Sequence, residues 1–205
     1  LISGPIFSGQ FGKTWKNVEI CQNLSYNVQV RFLPSTSETG ESMQRQYLNQ
    51  NVYEALQSRL HFIFQEFQNI FVSFSGGKDS GLLLNLVLDF RKKYYPNRRI
   101  GVFHQDFEAQ YSVTTEYIER TFARIEKEVE PYWVCLPMAT RTALSNYEMY
   151  WYPWDDEKEE AWVRPMPKHP YVINLRNNPI TTYRYKMHQE DLARQFCRWY
   201  RMRHG

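Results

Sequence analysis

Cysteine is scarce in this 205-residue chain: Cys21, Cys135 and Cys197 stand far apart and no CxxC pair occurs. Zinc sites, iron–sulfur clusters and disulfide frameworks need paired or clustered thiols, so this spacing argues against all three and reads each cysteine as a small buried hydrophobe. Long apolar runs are missing too. Nowhere are there the roughly eighteen consecutive apolar residues that cross a membrane as a helix. The opening LISGPIFSGQFGKT has neither the basic start nor the unbroken apolar stretch of a secretory signal. These absences predict a cytoplasmic protein with no membrane contact. A strong charge of one sign is also lacking: 25 Lys+Arg against 22 Asp+Glu give a formal net charge of +3. That balance suits anionic ligands but is far from that of a dedicated nucleic-acid binder.

What the chain does have is aromatic rings. They make up 17% of residues and concentrate between Tyr147 and Trp162 and again near the C-terminus, a density that signals core packing or a protein contact surface. The overall balance, 42% hydrophobic and 23% charged, fits one globular domain with appendages. Residues 1–42 are rich in Ser, Gly, Asn and Gln and share no periodicity with the rest of the chain. They read as an extension ending in the polar, turn-forming linker PSTSETGES, residues 34–42. The main domain is expected from Met43 to residue 175, with a C-terminal basic amphipathic helix after it, within residues 176–205.

From Met43 the pattern alternates. Val52, Leu56, Leu60, Ile63 and Phe67 recur at three- and four-residue spacing and predict a helix. Ile70–Phe74 is a short β-rich run, and Leu83, Leu86, Val87 and Phe90 form the stripe of a second helix that Pro96 ends. Ile100–Phe103 predicts a second strand. A third helix carries Ile118, Phe122, Ile125 and Val129, with Glu119, Arg120, Arg124 and Lys127 toward water, and Tyr132–Leu136 gives a third strand. Thr140–Tyr147 and Asp155–Trp162 are read as further helices, and Met187–Met202 as the last. Strands separated by helices of this length imply an α/β fold: a parallel twisted sheet with right-handed crossovers and helices on both faces. Ligands of such sheets bind at the carboxyl ends of the strands.

The string SFSGGKDS, Ser73 to Ser80, falls at that edge, between a strand and a helix N-terminus. There the first backbone N–H groups lack internal partners and the helix dipole is positive. Gly76 and Gly77 let the backbone approach an anion closely. Ser75 and Ser80 offer hydroxyls, and Lys78 supplies a flexible point charge. Asp79 beside phosphates implies an intervening cation such as Mg²⁺, or a helix-capping role. A second candidate, FSGQFGKT at Phe7 to Thr14, fails the P-loop pattern because glycine is required where Phe7 stands.

SGGKDS is the signature of the PP-loop ATP pyrophosphatase superfamily. Together with VSFSGGKDSGLLLNL, VFHQDFEAQY, PYWVCLP and WVRPMP, the chain resembles its phosphoadenosine phosphosulfate (PAPS) reductase-like branch over about residues 44–175, in particular the immunoglobulin-binding regulator A and uncharacterised PAPS reductase-like subgroup. The resemblance implies an adenine nucleotide α-hydrolase-like fold that binds ATP or a PAPS-like nucleotide with Mg²⁺ and cleaves the α–β phosphate bond to adenylate or sulfur-activate an acceptor. It carries Ser75, Gly76, Gly77, Lys78, Asp79 and Ser80 over as the phosphate site, flanked by Ser73 and Phe74. His104, Gln105 and Asp106 would lie near ribose, base or substrate, and Lys78, Asp79 and Asp106 would be catalytic. Two departures stand out: no C-terminal segment with the nucleophilic cysteine of true PAPS reductases is visible, and neither is the glycine- and arginine-bearing motif that completes the substrate pocket in relatives. A shortened or regulatory relative is therefore also expected.

Weaker candidates are Glu108 and Tyr111 beside Asp106, and Arg141, Arg164, Lys168 and His169 as phosphate contacts from across the cleft. Each also reads as an ordinary surface or interface residue. The aromatic segment 147–162 offers a core or a protein partner surface, and less readily a base-stacking platform. The last helix, with Arg194, Arg198 and Arg201, offers a nucleic-acid contact or a solvated face. Three functions stay open: an adenylating enzyme, a nucleotide-dependent regulatory module with little turnover, and a tRNA-type modifying enzyme.

Overall fold

The computed structural model describes residues 49–142 and 144–204. The expected extension of residues 1–42, with FSGQFGKT, and Met43 itself lie outside the described residues. The elements run α1 (Val52–Glu66), β1 (Phe71–Ser73), α2 (Lys78–Tyr94), β2 (Gly101–Gln105), α3 (Ser112–Ile125), β3 (Glu130–Val134), β4 (Met138–Arg141), β5 (Tyr150–Trp151), a 3-10 turn (Asp156–Ala161), β6 (Val172–Ile173), β7 (Met187–His188) and α4 (Gln189–His204). The fold is mixed α/β. Four strands form a parallel sheet in the order β1-β2-β3-β6, and a small three-stranded sheet, β5-β4-β7, lies beside it.

Local chemistry sets the helix ends. Asn51 and Glu54 close a capping box on α1, with the Asn51 side chain accepting from Glu54 N at 2.9 Å and the Glu54 carboxylate accepting from Asn51 N at 3.0 Å. At the other end Arg98 donates to the carbonyls of Phe64, Phe67 and Gln68, placing a cation where the dipole favours one. Pro131 lies inside β3 rather than ending a helix. Its missing N–H points toward the β6 side, where pairing begins only at Trp133, so no ladder bond is lost.

Successive residues of the central strands alternate between two cores. Val72, Phe74, Val102, Trp133 and Cys135 face α1, α2 and α3, whereas Phe71, Phe103, Tyr132 and Val134 face α4. Because the sheet order runs β1-β2-β3, right-handed crossovers put α2 and α3 on the same face. Helix α4 covers the other. Its Phe196 ring stacks 4.2 Å from Phe103, and Tyr200 Oη donates to Ile70 O at 3.1 Å. The C-terminal helix is thus packed on the main sheet, where it builds the second core, with Arg194, Arg198 and Arg201 exposed on its outer side.

Two helical expectations are corrected. Met138–Arg141 is a strand, paired with β5 and β7, and Asp156–Ala161 is a 3-10 turn kinked at Lys158. The stripe of α2 is wider than expected: Val87 and Phe90 are buried, Leu84 and Leu88 join them, and Leu83 and Leu86 are half-buried. No helix among the described residues is long and apolar enough to cross a membrane.

Since Phe196 is fully buried against three strands, Phe196→Ala should cost about 3–5 kcal/mol in urea unfolding, with one cooperative transition retained. A loss under about 1 kcal/mol would mean that α4 is peripheral to the fold.

Candidate functional site

Strand β1 delivers the loop to the carboxyl edge of the sheet. Phe74 is fully buried; its N–H donates to Phe103 O at 2.7 Å and its carbonyl faces His104 Nδ1 at 2.8 Å. The chain then turns at Gly76, whose φ is +82. A Cβ there would also fall 2.7 Å from the Ile118 side chain, so the fold itself requires this glycine. Gly77 differs. Its φ of −78 and ψ of 164 suit any residue, and a Cβ would meet nothing closer than Ser75 Oγ at 3.5 Å. As the residue preceding α2 it supplies no side-chain cap, at a position where Ser, Asp or Asn would satisfy an orphan donor.

The serines brace the turn. Ser75 Oγ and Ser80 Oγ lie 2.9 Å apart, and Ser80 Oγ donates to Gly77 O at 3.0 Å. The Ser75 and Gly77 amides donate to these hydroxyls over 3.3 and 3.4 Å, long enough to be weak. Ser80 is buried beneath the loop, whereas Ser75, Gly77, Lys78 and Asp79 are exposed. Neither Lys78 nor Asp79 has a side-chain partner among the described residues. Mg²⁺ is held by one or two carboxylates plus phosphate oxygens. Asp79, exposed in the first turn of α2, fits such a role, and no group of three or more metal-ligating side chains occurs among the described residues.

The end of β2 is arranged differently from expectation. His104 is fully buried, edge-on to Trp133 at 5.3 Å, and its Nε2 has no partner among the described residues. Burial lowers its pKa, leaving the ring neutral at neutral pH. Gln105 faces the opposite side, where its amide donates to Gln189 O at 3.1 Å. Asp106 is fully buried. Its Oδ1 accepts from Arg164 at 2.6 Å and from Glu108 N at 2.7 Å, and its Oδ2 accepts from Trp133 Nε1 at 2.6 Å and from Arg164 at 2.7 Å. This carboxylate is thus buried with both oxygens committed to protein donors, an arrangement that positions the turn after β2.

Glu108 continues the same network. At φ +61 it accepts from Trp154 N at 2.7 Å and Val163 N at 2.9 Å, while its carbonyl takes Arg164 Nε at 2.9 Å. The turn after β2 is thereby fastened to residues 154–164. Arg164 does not cross the cleft to a phosphate; it neutralises Asp106, with its guanidinium 4.8 Å from the Trp154 ring. His169 stacks on Tyr171 at 5.1 Å, and Lys168 and Arg141 are exposed away from these contacts. Of the aromatic segment, Trp154 and Trp162 pack edge to face in the interior, and Tyr147, Tyr150 and Tyr152 are exposed.

Two clefts lie near the carboxyl edge. One of about 300 Å³ is lined by Gln110, Ser112, Thr115, Glu116, Val163 and Arg164. The other, of about 570 Å³, runs from Glu108 and Ala109 to residues 148–152 and 161–163, with the rings of Tyr150, Trp151, Tyr152 and Trp162 among them. Neither is lined by SGGKDS, which forms an open shelf.

A curated relative, the uncharacterised protein YbdN of Escherichia coli (strain K12), is 33% identical over 153 residues, 73% of this chain. The chain spans 36% of that protein's length. No family model matches the sequence. No solved structure matches it either.

Burial opposes ionisation of Asp106, but the neighbouring His104 and Arg164, with hydrogen bonds from Arg164 and Trp133, hold its pKa below the usual carboxylate value. With His104 neutral, the permanent counter-charge is Arg164. A depressed pKa stabilises the fold above the unfolded value of about 3.9 and stops doing so as pH falls through the folded value. Asp106→Asn should therefore lose about 3–5 kcal/mol at pH 7, and the gap from wild type should close below about pH 4, read from denaturant midpoints across pH.

Proposed function

We propose that this chain is a PP-loop, PAPS reductase-like nucleotide-binding module that takes ATP, or a related adenylyl nucleotide, with its pyrophosphate at the N-terminus of α2. The observation that carries this reading is Gly77. Nothing among the described residues calls for a glycine there, and no side chain caps the first amides of α2 at this exposed position. Lys78 would supply positive charge to the departing pyrophosphate, and Asp79 would offer a carboxylate to Mg²⁺, which would offset phosphate charge. An acceptor nucleophile attacks the α-phosphorus, the α–β bond breaks, and pyrophosphate leaves with its growing charge met by the loop amides and Lys78. The sequence likeness to PAPS reductase-like proteins supports ATP or PAPS as the nucleotide.

A regulatory module with little turnover is the second reading. It is favoured by the burial of Asp106, which leaves Asp79 as the exposed one of the two carboxylates that the resemblance makes catalytic.

Titration calorimetry with ATP and Mg²⁺, paired with product analysis, decides the matter. Lys78→Ala and Asp79→Ala should each abolish binding. Gly77→Ser should leave stability equal or a few tenths of a kcal/mol higher, by about the value of an N-cap, yet still lose nucleotide. AMP and pyrophosphate as products support the enzyme, and binding without product supports the regulatory reading. Unchanged ATP affinity in Gly77→Ser, or ADP and phosphate as products, would refute the assignment of this loop.

A further inference from the structure

The larger cleft is independent of the SGGKDS shelf and has its own chemistry. Met149, Tyr150, Trp151, Tyr152 and Trp162 supply most of its apolar wall. Val163 in the cleft is 65% exposed, and nearby in sequence Leu144 is 97% and Tyr147 98% exposed. Exposed large apolar side chains gathered in one cleft mark an interaction site, and Tyr150, Tyr152 and Val163 are such side chains here. Tyr150 and Trp151 form β5, the outer strand of the small sheet.

The charge around these rings is acidic. Glu108, Glu148 and Asp155 line the cleft against the single cation Lys158, and the adjoining turn adds Asp156, Glu157, Glu159 and Glu160. Glu108 and Asp155 commit their oxygens to protein donors, whereas Glu148 is exposed. The protein already shows what such a surface holds. The Lys186 ammonium sits 5.1 Å from the Tyr152 ring and is paired with Asp155 at 2.9 Å and Glu157 at 2.8 Å. Rings and carboxylates together recognise cations, and the same acids repel a phosphate backbone.

We infer that this cleft docks a basic, apolar polypeptide segment of a partner protein, with arginine or lysine side chains laid over Tyr150 and Trp151 and against Glu148. Fluorescence anisotropy on the whole chain tests it, using a short labelled peptide alternating Arg and Leu, its Glu-for-Arg counterpart, and a labelled uridine oligonucleotide. The Arg peptide should bind, and the other two should bind at least about tenfold more weakly. Tyr150→Ala should weaken the Arg peptide about fivefold and Glu148→Lys about tenfold, with circular dichroism unchanged. Lys78→Ala should leave the affinity unaltered, which separates this surface from the nucleotide site. Equal binding of both peptides, tighter binding of the oligonucleotide, or indifference to Tyr150→Ala would overturn the inference. So would self-association abolished by Arg198→Glu, because a second copy's basic helix would then fill the cleft.

Discussion

The level register of three parallel strands is the constraint on which the rest depends. Ser73 pairs beside Phe103 and Gln105 beside Val134, so the chain leaves β1 and β2 at one edge, side by side. The contact between the Phe74 carbonyl and His104 Nδ1 joins those two exits directly. Because consecutive crossovers advance in one direction, α2 and α3 share a face, and the turn at Gly76 comes to rest on Ile118. The exposed shelf of SGGKDS is a consequence of that packing. A slip of one residue in β1 would exchange its two faces, sending Phe71 toward α2 and Val72 toward α4.

Much of this architecture is legible in the sequence because it is written at short range. The stripes of α1, α3 and α4 repeat every three to four residues, the capping box needs only Asn51 and Glu54, and Gly-Gly after a β-rich run marks the loop. The misread elements depend on distant partners. Strands β4, β5 and β7 are two to four residues long and exist through pairing with one another, so Thr140–Tyr147 carries no local sign of its strand. Helix α4 is plainly amphipathic, yet which surface its apolar side covers is decided by Phe71 and Phe103, far earlier in the chain.

The same limit explains Asp106. A carboxylate just past a strand at the ligand edge looks available, and local sequence gives no sign that Trp133 lies 27 residues on and Arg164 58 residues on. One cue is present: residues 154–164 hold two tryptophans and an arginine, and a buried indole N–H or guanidinium needs an acceptor. The Arg164 guanidinium finds the Asp106 carboxylate and the Glu108 carbonyl, the Trp154 indole finds the Asp106 carbonyl, and the Trp162 indole is met nearer by, at Asp155 O. The motif HQDFEAQY is therefore the lock for the later segment, its carboxylates matched to donors that the chain supplies some fifty residues on.

That lock also determines how charge is distributed along the edge. Asp106 and Arg164 lie together past the end of β2, a carboxylate against a guanidinium. Paired and buried, they cancel, and each exposed surface is left to its own local charges. The shelf then carries the positive end of α2 with Lys78, tempered by Asp79. The aromatic cleft, anchored to β2 through Glu108, carries the acids of residues 148–160. Two surfaces of opposite character thus open after adjacent strands, and Asp106 and Arg164, bonded to each other and to Trp133 in the interior, add no unpaired charge to either.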